Sequence, residues 1–468
     1  MGQSIFSNVV IATVSRAAVV LLGLAATGIT VRIVSVESFG IYSLVLTIGT
    51  FLQLFADFGL YLTASREIGA AGGSRNDMMR HIVSLRIALL LCMFALGLIA
   101  FFFIPSLKNL ALLFGILFLG LVFQSISQLI MGVFQAYGSI WKATVGDIVG
   151  RAVQVSILLY QDSLTGVAVA FMVSLCVAFI IHLVLVPHRG NLFPKVSISG
   201  WRYLAKTSWP IALMLVLNVI YFRSDILVLS FFRSPEEIAW YGLAYKIIEN
   251  GLFFPAMVGG LLLPHISSAL AVKNRKQANT LVSQGLTLSL YTAVIVVTML
   301  VVFASPIILF FNSEYSSSIG LLRVLSIALS IMFIGNIFGF ALIALSQQRK
   351  LAALYAALVV FNIAMNLLFI PRHGALAAAW ATVATEAIAM LSASYIVHTK
   401  IGFTFPVVST LLAGVSALAA AYVGTIFPSY VHIGFRLSIV AVLYIGIGYT
   451  LGLWNKGTLR MLREVSTI

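Results

Sequence analysis

The sequence predicts an all-α integral membrane protein of about fourteen transmembrane helices, arranged as two six-helix bundles in a pseudo-two-fold repeat plus two C-terminal helices. Three observations predict it. Of 468 residues, 61% are hydrophobic and only 9% charged, and the mean hydropathy of +1.09 lies far outside the range of water-soluble chains. A bilayer core needs about 20 apolar residues per helix, and such stretches recur along the whole chain between short polar loops. Finally, the chain aligns with itself: "ESFGIYSLVL" from Glu37 matches "EIAWYGLAYK" from Glu237, and "TGVAVAFMVS" from Thr165 matches "HGALAAAWAT" from His373.

In order, the spans fall at 8–34, 38–63, 81–104, 109–134, 143–160, 163–187, 209–231, 238–263, 279–304, 318–345, 351–370, 374–398, 403–427 and 432–454. The first is too long for a signal-peptide core and lacks a basic leader, so it is expected to be retained. Each repeat holds six spans, an even number, so both halves enter the membrane in the same direction about an axis along its normal. The predicted domains are therefore 1–187, a cytoplasmic amphipathic linker at 188–208, a second bundle at 209–400, and the last two spans with a tail at 401–468. In the linker, Trp201, Tyr203 and Leu204 interleave with Arg202 and Lys206, as in a short helix lying in the interface or, for its first ten residues, a solvated connection.

The net charge of +15 is a topology signal and not a nucleic-acid footprint. Eighteen Lys and Arg fall in the even-numbered loops and the C-terminus, among them Arg66, Arg80, Arg86, Lys195, Arg202 and Lys206, against four (Arg32, Lys108, Arg233 and Arg372) in the odd-numbered loops. By the positive-inside rule both termini are cytoplasmic, and anionic lipid headgroups are the expected counter-ions. Loops of at most about twenty residues leave no room for an extramembrane catalytic domain, and no nucleophile motif, phosphate loop or metal cluster appears. Cys92, Cys176 and the lone His182 are expected to be packing residues.

Ionisable groups inside the membrane cost about 2.5–3.5 kcal/mol each on the lenient insertion scale, so each needs a reason. They are Arg16, Asp57, Asp147, Arg151, Arg223, Asp225, Lys246, Glu249 and Glu386. Asp147 and Arg151 stand four apart, able to pair within one helix or to line a cavity with Gln154. Lys246, Glu249 and Asn250 share a face. Arg223 and Asp225, two apart, point to different surroundings. Arg16, Arg223 and Lys246 put three cations on spans 1, 7 and 8, a set suited to a phosphate if they border a common cavity, or each paired with an acid on another helix. Counted along their spans, Asp225, Asn362, Asn366, Ala378 and Thr382 all lie roughly 6–12 Å below the outer surface. Those oxygens suit Na⁺; alternatively, the Asn and Thr side chains bridge packed helices.

"ITVRIVSVESFGIYSLVLTIGTFLQLFADFGLYLTASREIG", "LLLPHIS" and "NIAMNLLFIPRHGALAAAWATVATE" resemble the polysaccharide or O-antigen flippases of the multidrug/oligosaccharidyl-lipid/polysaccharide (MOP) exporter superfamily. The fourteen-span count is similar to its lipid II flippases, whose two extra helices form a groove for a lipid tail; Phe403 to Trp454 would do so here. The resemblance implies a non-enzymatic flippase in a bacterial cytoplasmic (inner) membrane. It would carry an undecaprenyl-pyrophosphate-linked oligosaccharide from the cytoplasmic to the outer leaflet by alternating access, for surface polysaccharide assembly (O-antigen, as in lipopolysaccharide, or exopolysaccharide), with a polysaccharide polymerase as the expected partner. It assigns the pyrophosphate to Arg16, Arg223 and Lys246; Glu249 and Asn250, on the face of Lys246, and Arg151, as cavity lining, are further candidate substrate-binding residues from their spacing alone. It assigns a Na⁺ site to Asp225, Asn362, Asn366 and Thr382, although Asn366 stands where that pattern has an acid. Glu386, one turn further in, is the alternative proton carrier. The competing readings are a cation-coupled multidrug extruder and a membrane enzyme of polysaccharide assembly.

Overall fold

The computed structural model describes residues 2–70, 75–103, 111–137, 139–187, 193–428 and 431–451. Among these residues the structure is helical, with no strand. The first eight helices are α1 (Gly2–Ile33), α2 (Val36–Asp57), α3 (Leu60–Ala70), α4 (Arg75–Phe103), α5 (Ala111–Ala136), α6 (Ile140–Leu158), α7 (Leu164–Leu185) and α8 (Ile198–Phe232). There follow α9 (Pro235–Gly251), α10 (Phe253–Ala271), α11 (Arg275–Val302), α12 (Ala304–Phe311), α13 (Ser318–Ala344), α14 (Gln348–Ile401), α15 (Val407–Ile426) and α16 (Ile433–Thr450).

Among the described residues, eleven helical segments are long and apolar enough to cross a membrane, and the remaining three predicted spans have identifiable places. The 54-residue α14 reverses at Gly374, whose φ of 59° and ψ of −144° interrupt it, so it supplies spans 11 and 12. Ala17–Ile33 is the apolar part of α1. Helix α6 holds span 5, its hydropathy lowered by Lys142, Asp147, Arg151 and Gln154. The molecule is a multi-pass membrane protein.

The chain forms two compact units, Met1–Leu227 and Val228–Ile468, with the boundary inside α8. In the first, α3, α4 and α5 share a core of Leu60, Ala64, Ile82, Ile130, Val133 and Phe134. Helices α2 and α3 are separated by Phe58 and Gly59, both with positive φ. Helices α6 and α7 approach closely because Gly146 and Gly150 face Ala178, Ser174 and His182; a Cβ on Gly150 would lie 2.5 Å from the Ser174 carbonyl. Gly150→Val is therefore expected to destabilise the protein by about 1–3 kcal/mol through overpacking, read as a lowered Tm of purified protein. An unchanged Tm would show that the two helices separate freely.

The predicted linker is built differently from the expectation. Residues 188–192 lie outside the described residues, and from Ile198 the chain is already the start of α8, continuous to Phe232, and not a separate interfacial helix. It is fastened to the first unit. The Lys195 carbonyl accepts from Ser84 Oγ (2.9 Å) and His81 Nδ1 (3.0 Å), Trp201 Nε1 donates to Ser84 Oγ (2.8 Å), and Lys195 pairs with Asp77 (3.0 Å).

In the second unit α13 lies at the centre, packed by α9, α10, α11, α12 and α14. Ile337, Phe338, Ala341 and Leu342 fill the core with Leu262, Ile266, Val282 and Leu286. Helices α15 and α16 pack on α11 through Ala413, Ala417, Ala420, Ala421, Val440, Tyr444 and Tyr291. Small residues on α15 allow that approach, while Leu411, Val415, Leu418 and Tyr422 remain exposed on its other side.

Candidate functional site

Two polar features in the second unit interrupt otherwise apolar packing. The first is the seam between the arms of α14. Asn362 and Asn366 are buried at 2% and 0% exposure; Asn366 Nδ2 donates to Asn362 Oδ1 at 2.9 Å, and Asn362 Nδ2 donates across the seam to Thr385 Oγ1 at 3.3 Å. Thr382 Oγ1 donates to the Ala378 carbonyl at 3.0 Å and lies 3.4 Å from the Tyr241 hydroxyl. Thus Asn362, Asn366, Ala378 and Thr382, four of the five residues expected at one depth, belong to the two arms of one hairpin, where the structure adds Thr385 and Tyr241; the fifth, Asp225, belongs to α8. Glu386 is buried one turn further along. The bridging of helices read as the alternative is present. The oxygens along this seam are neutral and hard, and they are engaged in hydrogen bonds to one another and to the backbone. Among the described residues, no three His, Cys, Asp or Glu side chains gather where a metal could be held.

The second feature holds the hairpin's turn. Arg233 Nε and Nη2 donate to the carbonyls of Ile370 (3.1 Å) and Pro371 (3.0 Å), orphaned where the first arm ends. Glu237 Oε2 accepts from the Ala375 amide at 3.0 Å, where the second arm begins, as a carboxylate does favourably at a helix N-terminus. Arg233 Nη1 and Glu237 Oε1 are themselves 3.6 Å apart. Sequence reading had placed Arg233 only as a loop charge. In the first half the corresponding helix start is served locally, by Ser163 Oγ accepting from the Gly166 amide at 3.2 Å.

Lys246 Nζ donates to Glu249 Oε2 at 3.1 Å, with both side chains part-exposed, and Asn250 Nδ2 donates to the Lys246 carbonyl at 2.8 Å. The predicted shared face exists, and its cation is paired.

In the first unit, Asp225 is buried at 2% exposure on α8 and Arg223 is half-buried on the same helix. Arg16 belongs to α1, but its side chain lies outside the described residues. Arg151 Nη1 donates to Gln154 Oε1 at 2.7 Å, and Asp147 lies 3.9 Å from His182 Nε2. His182 donates from that nitrogen to the Ala143 carbonyl at 2.7 Å and is a packing residue. Cys92, by contrast, is exposed, not packed as expected.

Asp57 has a partner that sequence reading misplaced. Arg86, counted among the loop charges, is 1% exposed. Its Nη1 lies 2.7 Å from Asp57 Oδ1 and donates to the Ala56 carbonyl at 2.7 Å, while Nε donates to the Ser125 carbonyl at 3.2 Å. The guanidinium thus neutralises the buried acid and also satisfies the end of α2. Arg436, also missed, is buried in α16, where Nε donates to the Gly424 carbonyl at 3.1 Å and the guanidinium lies 5.3 Å from the Phe303 ring centre.

The fold, an all-α membrane protein with buried polar seams, is one that known flippases and MATE transporters share. The structure is similar to that of the lipid II flippase MurJ in an inward closed conformation, with a TM-score of 0.77 at 16% identity, covering 96% of this chain and 98% of that one. It is also similar to a multidrug resistance MATE family transporter of the MOP superfamily in an inward-facing conformation, with a TM-score of 0.68 at 15% identity, covering 83% of this chain and 98% of that one. The family model described as polysaccharide biosynthesis protein matches residues 5–270, more than half of the chain, and the MatE model matches 210–371. The chain belongs to the polysaccharide biosynthesis protein family. A relative in Haloferax volcanii, the probable low-salt glycan biosynthesis flippase Agl15, is 24% identical over 235 residues, which is 45% of this chain and 49% of that protein. The match therefore spans about half the length of that relative.

Proposed function

We propose that the protein is a flippase, not an enzyme. It moves an undecaprenyl-pyrophosphate-linked oligosaccharide from the cytoplasmic to the outer leaflet of a bacterial inner membrane, by alternating access, for O-antigen or exopolysaccharide assembly. The observation that carries this reading is the polysaccharide biosynthesis family match on a chain whose fold follows a lipid II flippase along nearly its whole length. The physical task is clear: each unpaired hydroxyl costs about 4–8 kcal/mol in hydrocarbon, so a sugar head needs a hydrated path while its polyprenyl tail stays in lipid.

In this reading Arg16, Arg223 and Lys246 receive the pyrophosphate, with Arg151, Glu249 and Asn250 contacting sugar hydroxyls, and both termini face the cytoplasm. A polysaccharide polymerase is the proposed partner. The coupling ion is Na⁺ or H⁺. Asn362, Asn366 and Thr382 would offer oxygens to Na⁺, Asp225 is the carboxylate proposed to respond to it, and Glu386 is the candidate proton carrier. Transport in reconstituted vesicles is expected to fall at least tenfold in Arg223→Ala and to lose its cation dependence in Asp225→Asn. Wild-type rates in both variants would remove these residues from the mechanism. The MatE match over 210–371 favours a second reading, a cation-coupled multidrug extruder, which predicts export of organic cations instead.

A further inference from the structure

We propose that the groove at the start of α8 binds the headgroup phosphate of an anionic phospholipid. This open groove of about 470 Å³ is lined by Ile198, Ser199, Arg202, Tyr203 and Lys206. Arg202 and Lys206 stand four apart, on one helical face. Both are exposed, and neither makes an ion pair or hydrogen bond among the described residues, whereas nearby Lys195 is committed to Asp77 and Arg80 Nε to the Phe193 carbonyl. The Tyr203 hydroxyl donates to Glu67 Oε2 at 2.8 Å, which fixes the ring as a wall and brings one carboxylate to the rim. Two cations and one anion leave a single excess positive charge. That matches a phosphodiester monoanion, whereas a diphosphate carries more charge than the groove neutralises.

What lies further along the helix selects a lipid over free phosphate. Trp209, Leu213 and Met214 follow at helical spacing, with exposures of 54%, 44% and 53%. Cations, then an interfacial tryptophan, then aliphatic side chains present a headgroup site continuous with a strip for an acyl chain. The bonds from Ser84, His81 and Trp201 hold this end of α8 on α4, so the groove is formed before a ligand arrives.

Native mass spectrometry of the full-length protein tests this with phosphatidylglycerol, phosphatidylcholine of the same chains, and farnesyl diphosphate as a diphosphate probe. Phosphatidylglycerol is expected to be retained over phosphatidylcholine. Arg202→Gln/Lys206→Gln should weaken that retention about tenfold, while Arg349→Gln/Lys350→Gln, which changes net charge equally at another exposed site, should leave it intact. If the first pair failed to fold, Lys206→Gln alone would carry the comparison. Equal retention in both double variants, or no preference over phosphatidylcholine, would overturn the proposal. Displacement by equimolar farnesyl diphosphate would overturn it too, assigning the groove to a diphosphate.

Discussion

Replacing Gly374 by alanine is expected to lower stability by about 3 kcal/mol or more. Its φ of 59° and ψ of −144° fall where side-chain-bearing residues are strained by about 1–3 kcal/mol. An added Cβ would also overlap Glu237 Oε2 and come within 3.3 Å of Arg233 Nε. Relieving the overlap means moving Glu237 off the Ala375 amide, which leaves a part-buried donor unsatisfied at a further cost of about 1–3 kcal/mol. Glu237→Gln keeps an acceptor and should cost less than Glu237→Ala. Monodisperse yield after extraction and the Tm of what survives are the readouts; a wild-type Tm in Gly374→Ala would mean that the turn is not held as described.

The second large effect belongs to the Arg86–Asp57 pair. Arg86→Ala is expected to destabilise by about 3–5 kcal/mol, because it strands a buried carboxylate and also releases the Ala56 and Ser125 carbonyls. Asp57→Asn should be milder, since Arg86 keeps its carbonyl partners. The double change Arg86→Met/Asp57→Leu should recover part of the loss in a double-mutant cycle. Additive losses would show that the two groups do not depend on each other.

These two clusters mark what the sequence could and could not reveal. Spans were legible from hydropathy because a bilayer demands a fixed apolar length, and the turn at Pro371 to Gly374 was visible as a break between two such lengths. That Asn362 and Asn366 belong to a polar hairpin was legible because its two arms are neighbours in sequence, but counting along them picked Ala378 and Thr382, whereas the partner across the seam is Thr385. Long-range pairing left no such trace. Arg86 was counted as a loop charge although the predicted span 81–104 contains it and "IVSLRIALLL" encloses it in apolar residues; that enclosure was the available signal. Nothing local tells Asp57 that its partner lies 29 residues away. Arg233 and Glu237 were each visible, yet their role depends on carbonyls and an amide from α14. Residues 188–208 were read as an amphipathic linker ahead of the span at 209–231; from Ile198 no Pro intervenes until Pro210, and one helix runs through.

The central claim is that this chain moves a lipid-linked oligosaccharide. The most direct test places the full-length protein in liposomes carrying a labelled undecaprenyl-pyrophosphate oligosaccharide in one leaflet and measures its appearance in the other, beside uptake of a fluorescent organic cation. The account predicts protein-dependent movement of the oligosaccharide lipid and none of the cation. Cation transport without movement of the oligosaccharide lipid would contradict it and leave the drug-extruder reading in its place.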